Sequence, residues 1–276
     1  MEARTRTLTF GDDGSARADV AWAWIAAHAW PQWAVEVVTV TIPKSRSVAS
    51  PLGYTELRPW DPPAPRQAPV SCGLQSVTHL AADNDPRLIL GQRRGSDLVV
   101  VGPRGQGLLT MLHLGGTAEW LLRCPSAPLL IARRLEATRS ILVCIDGSHH
   151  AAAAVDFLAT LPWIAGASIT VMGVVEGHGD LASQVGEAAD VLSATGAEVT
   201  EVVVEPDPMA LTINPRVTIF EYLDVRDPDL VVLGTSGLTG LSRLWVGSVA
   251  SAVARHARCS VLVVRDPHGA GGGGDR

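Results

Sequence analysis

A chain of 276 residues with 47% apolar and 18% charged side chains has the balance of a folded globular protein, long enough for one large core or two ordinary ones. Its net charge of −6 excludes the broad basic surface that grips nucleic acid or anionic lipid, so neither nucleic acid nor membrane is expected as a partner. Cys72, Cys124, Cys144 and Cys259 form no CxxC pair and share no ligand spacing with the histidines, which argues against a zinc site or a disulfide scaffold and for a reducing compartment. No run of about 18 apolar residues occurs, and the opening Met1-Glu2-Ala3-Arg4 lacks a signal-peptide core. The expected location is cytoplasmic.

Along the chain, Asp13-Gly14-Ser15 is the first strand-to-helix turn. Trp22, Trp24, Trp30 and Trp33 crowd the helical region that follows, and aromatics grouped in this way read as core or interface. Residues 43–70 carry seven prolines and no helical period, so the helix expected between the second and third strands is missing. Asp97-Leu98-Val99-Val100 leads to Gly102-Pro103-Arg104-Gly105 and, nine residues later, Gly115-Gly116; residues 129–132 form the last strand of this half. A short polar stretch at 136–139 marks a boundary.

Beyond it, residues 141–145 are an apolar strand ending in Asp146-Gly147-Ser148, followed by a helix with Ala154, Val155, Leu158 and Leu161 on one face. Strands are expected at 169–175, 199–204, 230–233 and 261–264. Helices are expected at 180–195, Pro215–Arg226 and Ser248–His256. The glycine-rich tail, residues 267–276, is too costly to order and is expected to be disordered.

The two halves repeat one another. Asp13-Gly14-Ser15 returns as Asp146-Gly147-Ser148 after 133 positions, and Asp97–Val100 as residues 229–232 after 132. Gly102, Gly105 and Gly115 return at the same 132-residue offset as Gly234, Gly237 and Gly247, and residues 129–133 as 261–265. One offset held across separate segments indicates a duplication. Nearly continuous apolar strands alternating with helices imply parallel sheets covered on both faces. The expected fold is therefore α/β, with two tandem doubly wound domains at 1–135 and 138–266.

Chemistry concentrates after the strand at 230–233, where Gly234-Thr235-Ser236-Gly237, nine residues and Gly247-Ser248 open a helix. Glycines there let backbone N–H groups approach phosphate oxygens, and the helix N-terminus adds unpaired donors and a favourable dipole. Ser248 is expected to cap that helix and to donate to a phosphate. In open sheets the ligand crevice lies at the topological switch point, where Asp146 would face this loop with a carboxylate suited to ribose hydroxyls or a cation. Capping is an equally ordinary role for Asp13 and Asp146, and the two roles are compatible. Arg104 and Arg243 lie in the two glycine loops, within reach of either phosphate or solvent. His149-His150, with no second ligand cluster, reads as a solvated helix start.

The pattern Gly234-x2-Gly237-x9-Gly247-Ser248, with Asp146-Gly147-Ser148 upstream and Cys259-Ser260-Val261-Leu262-Val263-Val264 downstream, resembles the universal stress protein family, and the duplication resembles its tandem form. The resemblance spans nearly the whole chain. It implies Rossmann-like domains of the adenine nucleotide alpha hydrolase type, five strands each, and ATP, with or without magnesium, or another adenine nucleotide as ligand. It also implies pairing through the last strands, of the two halves within one chain or of two chains as a homodimer. Asp146 and the backbone of Val174 would hold ribose and adenine; Gly234, Gly237, Gly247 and Ser248 would hold the phosphates. In the first half the matching positions are Asp13, Ile42, Gly102, Gly105 and Gly115, but Gly116 replaces the hydroxyl residue and Thr117 comes one place later. Nucleotide binding there is left open.

The leading functional expectation is a nucleotide-binding stress-response module that acts through conformation or partner choice. The alternatives are a nucleotide-free dimerisation module and a slow ATP-hydrolysing enzyme. Lys44 is the only lysine and lies in a proline-flanked loop, which excludes a Walker-type or Schiff-base lysine. The Ser-Gly-Gly-x-Asp-Ser loop of pyrophosphate-forming enzymes is absent, and no paired base and oxyanion constellation stands out.

Overall fold

The computed structural model describes residues 4–41, 63–93, 95–104, 114–175, 180–205, 214–235 and 246–266. The first half runs β1 (Arg6–Asp12), α1 (Ala16–Ala26), β2 (Trp33–Thr41), β3 (Ser76–Asp83), α2 (Pro86–Gly91), β4 (Leu98–Val101), α3 (Gly116–Arg123) and β5 (Leu129–Ile131). The second runs β6 (Ser140–Ile145), α4 (His149–Ala159), β7 (Ser168–Val174), α5 (Leu181–Ser193), β8 (Glu198–Val204), α6 (Pro215–Arg226), β9 (Leu230–Gly234), α7 (Ser248–His256) and β10 (Ser260–Val264). Each element expected in the second half is present within one or two residues of its expected bounds.

All ten strands lie in one sheet, ordered β3-β2-β1-β4-β5-β10-β9-β6-β7-β8. Within each half the ladders are parallel, and the switch points fall between β1 and β4 and between β6 and β9. The exception is the antiparallel pair β5–β10, with Ile131 opposite Val261 and Leu129 opposite Val263. Leu130, Ile131, Val261 and Leu262 are 0% exposed, which is why these strands read as apolar on both faces.

Two cores flank the sheet. One packs Leu8, Phe10, Ile169 and Val171 against α1, α4 and α5; the other packs Val99, Val101, Val231 and Val263 against α2, α3, α6 and α7. Trp22, Trp24, Trp30 and Trp33 are buried, as their grouping implied. Trp24 and His28 also meet Trp163 of the second half, at ring-centroid distances of 5.6 and 4.4 Å. Between the halves, Trp24 Nε1–H donates to Thr138 Oγ1 at 3.2 Å and Thr138 N–H donates to His28 Nε2 at 2.9 Å. Burial pushes His28 down to about 4, so the ring is neutral and Nδ1–H donates to the Trp24 carbonyl. On the other face, Glu119 of α3 receives Arg255 of α7 at 3.0 Å and Arg123 of its own helix. These bonds hold its carboxyl below the usual range, Arg255 contributing most.

The segment at 43–70, expected to lack a helix, lies largely outside the described residues, which omit 42–62. Residues 63–75 hold only a short 3-10 turn at Val70–Cys72. Where α5 covers the second half, Arg66 reaches over the first, gripping Asp12 with Nε at 2.6 Å and Nη2 at 2.9 Å and Asp19 with Nη1 at 2.6 Å. The Asp12 side chain is 1% exposed, and its hydrogen bonds to Arg66 raise the guanidinium pKa further above its ordinary value. The position of Asp12 corresponds to Ile145 in the second half, so this ion pair belongs to the first half alone. A buried charge that loses its partner costs about 3–5 kcal/mol, whereas an apolar replacement of both is near neutral. Arg66→Ala should therefore destabilise the protein by about that much in urea unfolding, and Arg66→Ala combined with Asp12→Ile should recover most of it; an unchanged midpoint in Arg66→Ala would show that the pair does not hold this segment.

Candidate functional site

The two strand-to-helix turns are built alike. Gly14 and Gly147 adopt φ of 69° and 79°, a region that favours glycine, and this turns the chain from strand into helix. Asp13 Oδ1 then accepts from Ser15 N–H at 3.1 Å, and Asp146 Oδ1 from Ser148 N–H at 3.0 Å. The serines are the caps: Ser15 Oγ accepts from Ala18 N–H and Ser148 Oγ from Ala151 N–H, both at 3.1 Å. This corrects the expectation that the aspartates cap. Asp13 and Asp146 brace the turns one step before the helix, and Asp146 is left exposed at the end of β6.

Next to β6, the end of β9 carries Gly234. A Cβ there would lie 2.6 Å from the His150 carbonyl carbon and 2.7 Å from Ala151 N, so this glycine is demanded by the backbone of α4. Gly102 stands in the same relation to α1, where a Cβ would meet Arg17 O at 2.8 Å. The close approach expected for a phosphate is at these two positions made by a helix. Thr235 follows, 3% exposed, with a buried hydroxyl that has no partner among the described residues. Its N–H donates to Val264 O at 2.9 Å, and its carbonyl accepts from Gly247 N–H at 2.6 Å, tying the loop to β10 and to the start of α7.

Gly247 is the residue before α7 and supplies no side-chain cap. Ser248 is the first helical residue and is exposed, so the expectation that it caps the helix is not met. The first bond that closes the helix runs from Ser251 N–H to Gly247 O at 2.9 Å. The N–H groups of Ser248, Val249 and Ala250 are thus the donors that an α-helix leaves unpaired at its start. In the first half Gly115 holds the equivalent place, its N–H donating to Pro103 O at 2.8 Å, with Gly116 and Thr117 in the first turn of α3. A Cβ on Gly116 would meet nothing within 4 Å. Val174, the last residue of β7, lies opposite Val204 on the far side of β6 from β9.

His150 departs from the solvated helix start expected of it. It is 9% exposed, and its Nδ1 accepts from Asp266 N–H at 3.0 Å, placing the proton of the neutral ring on Nε2. Burial foremost, then His149 and Arg265, push its pKa down. Sequence reasoning missed this link because a His-His pair at a helix start carries no mark of a partner more than 100 residues away. Burial also pushes the Cys144 thiol, two residues before Asp146, far up, so it stays protonated. Ile42, Lys44, Gly105, Gly237, Arg243 and the tail at 267–276 lie outside the described residues.

Asp146, Gly234, Thr235, Gly247 and Ser248 thus gather where β6 and β9 end side by side, at the switch point of a doubly wound sheet. The class this defines is a doubly wound α/β fold with a crevice at its switch point. A family model described as "Universal stress protein family" matches residues 137–265. A putative universal stress protein of Staphylococcus saprophyticus is 34% identical over 140 residues, 46% of this chain and 83% of the relative. One from Mycolicibacterium smegmatis is 26% identical over 210 residues, 70% of each chain. A universal stress protein structure from Archaeoglobus fulgidus shares the fold at a TM-score of 0.65 and 16% identity, covering 95% of this chain and 99% of its own. The chain belongs to the universal stress protein family, in its two-domain form.

Because the Gly234 contact is with backbone, Gly234→Ala should lower stability by about 1–3 kcal/mol in protein stripped of ligand, read as the urea midpoint. An unchanged midpoint would return this glycine to a role in ligand contact alone.

Proposed function

We propose that the second half binds an adenine nucleotide, ATP with or without magnesium, and that its nucleotide state sets the conformation or partner choice of a cytoplasmic stress-response module. The observation that carries this reading is the start of α7, where Gly247 leaves the first-turn N–H groups uncapped beside a switch-point crevice, the arrangement that receives phosphate. The buried hydroxyl of Thr235 in the same loop, unpartnered among the described residues, adds a donor in want of an acceptor. Asp146, exposed at the mouth of the crevice, suits ribose hydroxyls or a cation, and the backbone of Val174 at the end of the neighbouring strand suits the base. Gly237, Gly247 and Ser248 would take the phosphates, with Gly234 holding α4 close by.

In the first half Asp13, Ile42, Gly102, Gly105, Gly115 and Thr117 stand at the matching places. Losing the hydroxyl at Gly116 costs one hydrogen bond, about 0.5–1.5 kcal/mol, so the hydroxyl alone weakens that crevice without closing it. The larger handicap is the proline-rich segment at 43–70, which carries no helical period; from its described part Arg66 reaches over Asp12 and Asp19. We take the two units as 1–135 and 138–266, paired inside one chain along β5 and β10. No helix among the described residues is long and apolar enough to cross a membrane.

The test is affinity for a fluorescent ATP analogue. Gly247→Val should weaken binding at least tenfold, because a side chain at this position intrudes on the approach to the α7 N-terminus. Ser248→Ala should weaken it by about two- to tenfold, the worth of one neutral hydrogen bond. Affinity unchanged in Gly247→Val would remove the phosphate assignment.

A further inference from the structure

A cavity of about 710 Å³ opens at the seam between the halves, bounded by the segment that leaves β5, the C-terminal ends of α6 and α7, and the start of β10. Three guanidinium groups line it, Arg133 and Arg134 from the seam segment and Arg258 from the turn into β10, together with the carboxylates of Asp224 and Asp227 at the end of α6. Arg134 Nη2 holds Asp227. Among the described residues no carboxylate pairs with Arg133 or Arg258.

Arg133 has a structural duty, its Nη groups reaching the carbonyls of Ala254 and, at 3.4 Å, Cys259, where α7 ends. That duty occupies two of its five N–H donors and neutralises no charge. Burial pushes Arg133 down to about 10, which leaves it a cation at neutral pH. Arg134 Nε is buried with no partner among the described residues, an uncommon state for a buried donor. With Asp227 taken by Arg134, the lining keeps Arg133 and Arg258 against the single carboxylate of Asp224, a surplus of one positive charge beside the orphaned Arg134 donor; that matches an anionic phosphate group, which accepts several N–H bonds at once. The space exceeds what a bare phosphate fills, and Phe220 and Leu223 give it an apolar wall.

We propose that this seam cavity is a binding site for an organic phosphate, with the phosphate oxygens on the Arg133, Arg134 and Arg258 guanidiniums and the organic body against Phe220 and Leu223. The site is separate from the second-half crevice: it lies at the start of β10, whereas Gly234 and Thr235 lie at the far end of that strand. It flanks the end of β5, the side on which the first-half crevice opens, so the test must exclude that crevice too.

The experiment is calorimetric titration of the full chain with phenyl phosphate and with inorganic phosphate at fixed ionic strength. Phenyl phosphate should bind saturably at one site, and inorganic phosphate more weakly. Arg134→Gln and Arg258→Gln should each reduce affinity at least tenfold; Arg258 is exposed, so its replacement leaves the fold intact, which thermal melting without ligand checks. Gly247→Val and Gly115→Val, which touch the second and first crevices, should leave binding unchanged. The assignment is overturned if neither phosphate saturates, if binding survives both arginine substitutions, if either glycine variant abolishes it, or if inorganic phosphate binds as tightly as phenyl phosphate. Loss of ATP binding in Gly247→Val with phenyl phosphate unaffected separates this site from the proposed nucleotide site.

Discussion

The antiparallel pairing of β5 with β10 is the constraint on which the rest of the architecture hangs. A short apolar strand at the end of a parallel sheet leaves a row of unpaired N–H and C=O groups that must be covered. Here each half covers the other, with Leu130 opposite Leu262 at the centre of a ten-stranded sheet. The reversal of strand direction at this seam sends the two switch-point crevices to opposite ends of the sheet. It also brings the segment after β5 beside the start of β10, where Ser260 Oγ accepts from Arg133 N–H at 3.0 Å. The Trp24–His28–Trp163 cluster on one face and the Glu119–Arg255 pair on the other fasten the same seam.

Most of the scaffold was legible in the sequence because the seam and its neighbours use local signals. α6 begins with Asn214 accepting from Arg216 N–H and Pro215 in the first turn, and α7 begins after glycine; both helices have the bounds their residues imply. The strands β9 and β10 are apolar on both faces, which marks central parallel strands without reference to any partner. The repeat offset carried the domain plan further than any single motif. What the sequence concealed are pairings between distant residues. Nothing in the proline-rich segment marks Arg66 as the partner of Asp12, 54 positions away. Likewise, nothing in His149-His150 marks the second ring as an acceptor for Asp266.

The crevice was legible in composition and misread in detail. Asp-Gly-Ser reads as a cap led by aspartate, yet serine takes that role because the left-handed glycine moves the helix start two residues on. Gly234 reads as room for phosphate, yet its neighbour is the backbone of α4. The same glycine in a sequence motif thus serves packing first and any ligand through it, since α4 can lie close to β9 only where no Cβ intervenes.

The two halves have the same frame and different fittings. The second keeps α5 over β7 and β8 and a hydroxyl residue at the head of α7; among the described residues the first has an arginine clamp on Asp12 and Asp19 and glycine in place of the hydroxyl. One working nucleotide site in a duplicated scaffold is the central claim, and the stoichiometry of ATP binding to the ligand-free full chain tests it most directly. Isothermal titration should give a single dominant site, close to one nucleotide per chain. Two sites of equal affinity, or none, would contradict it.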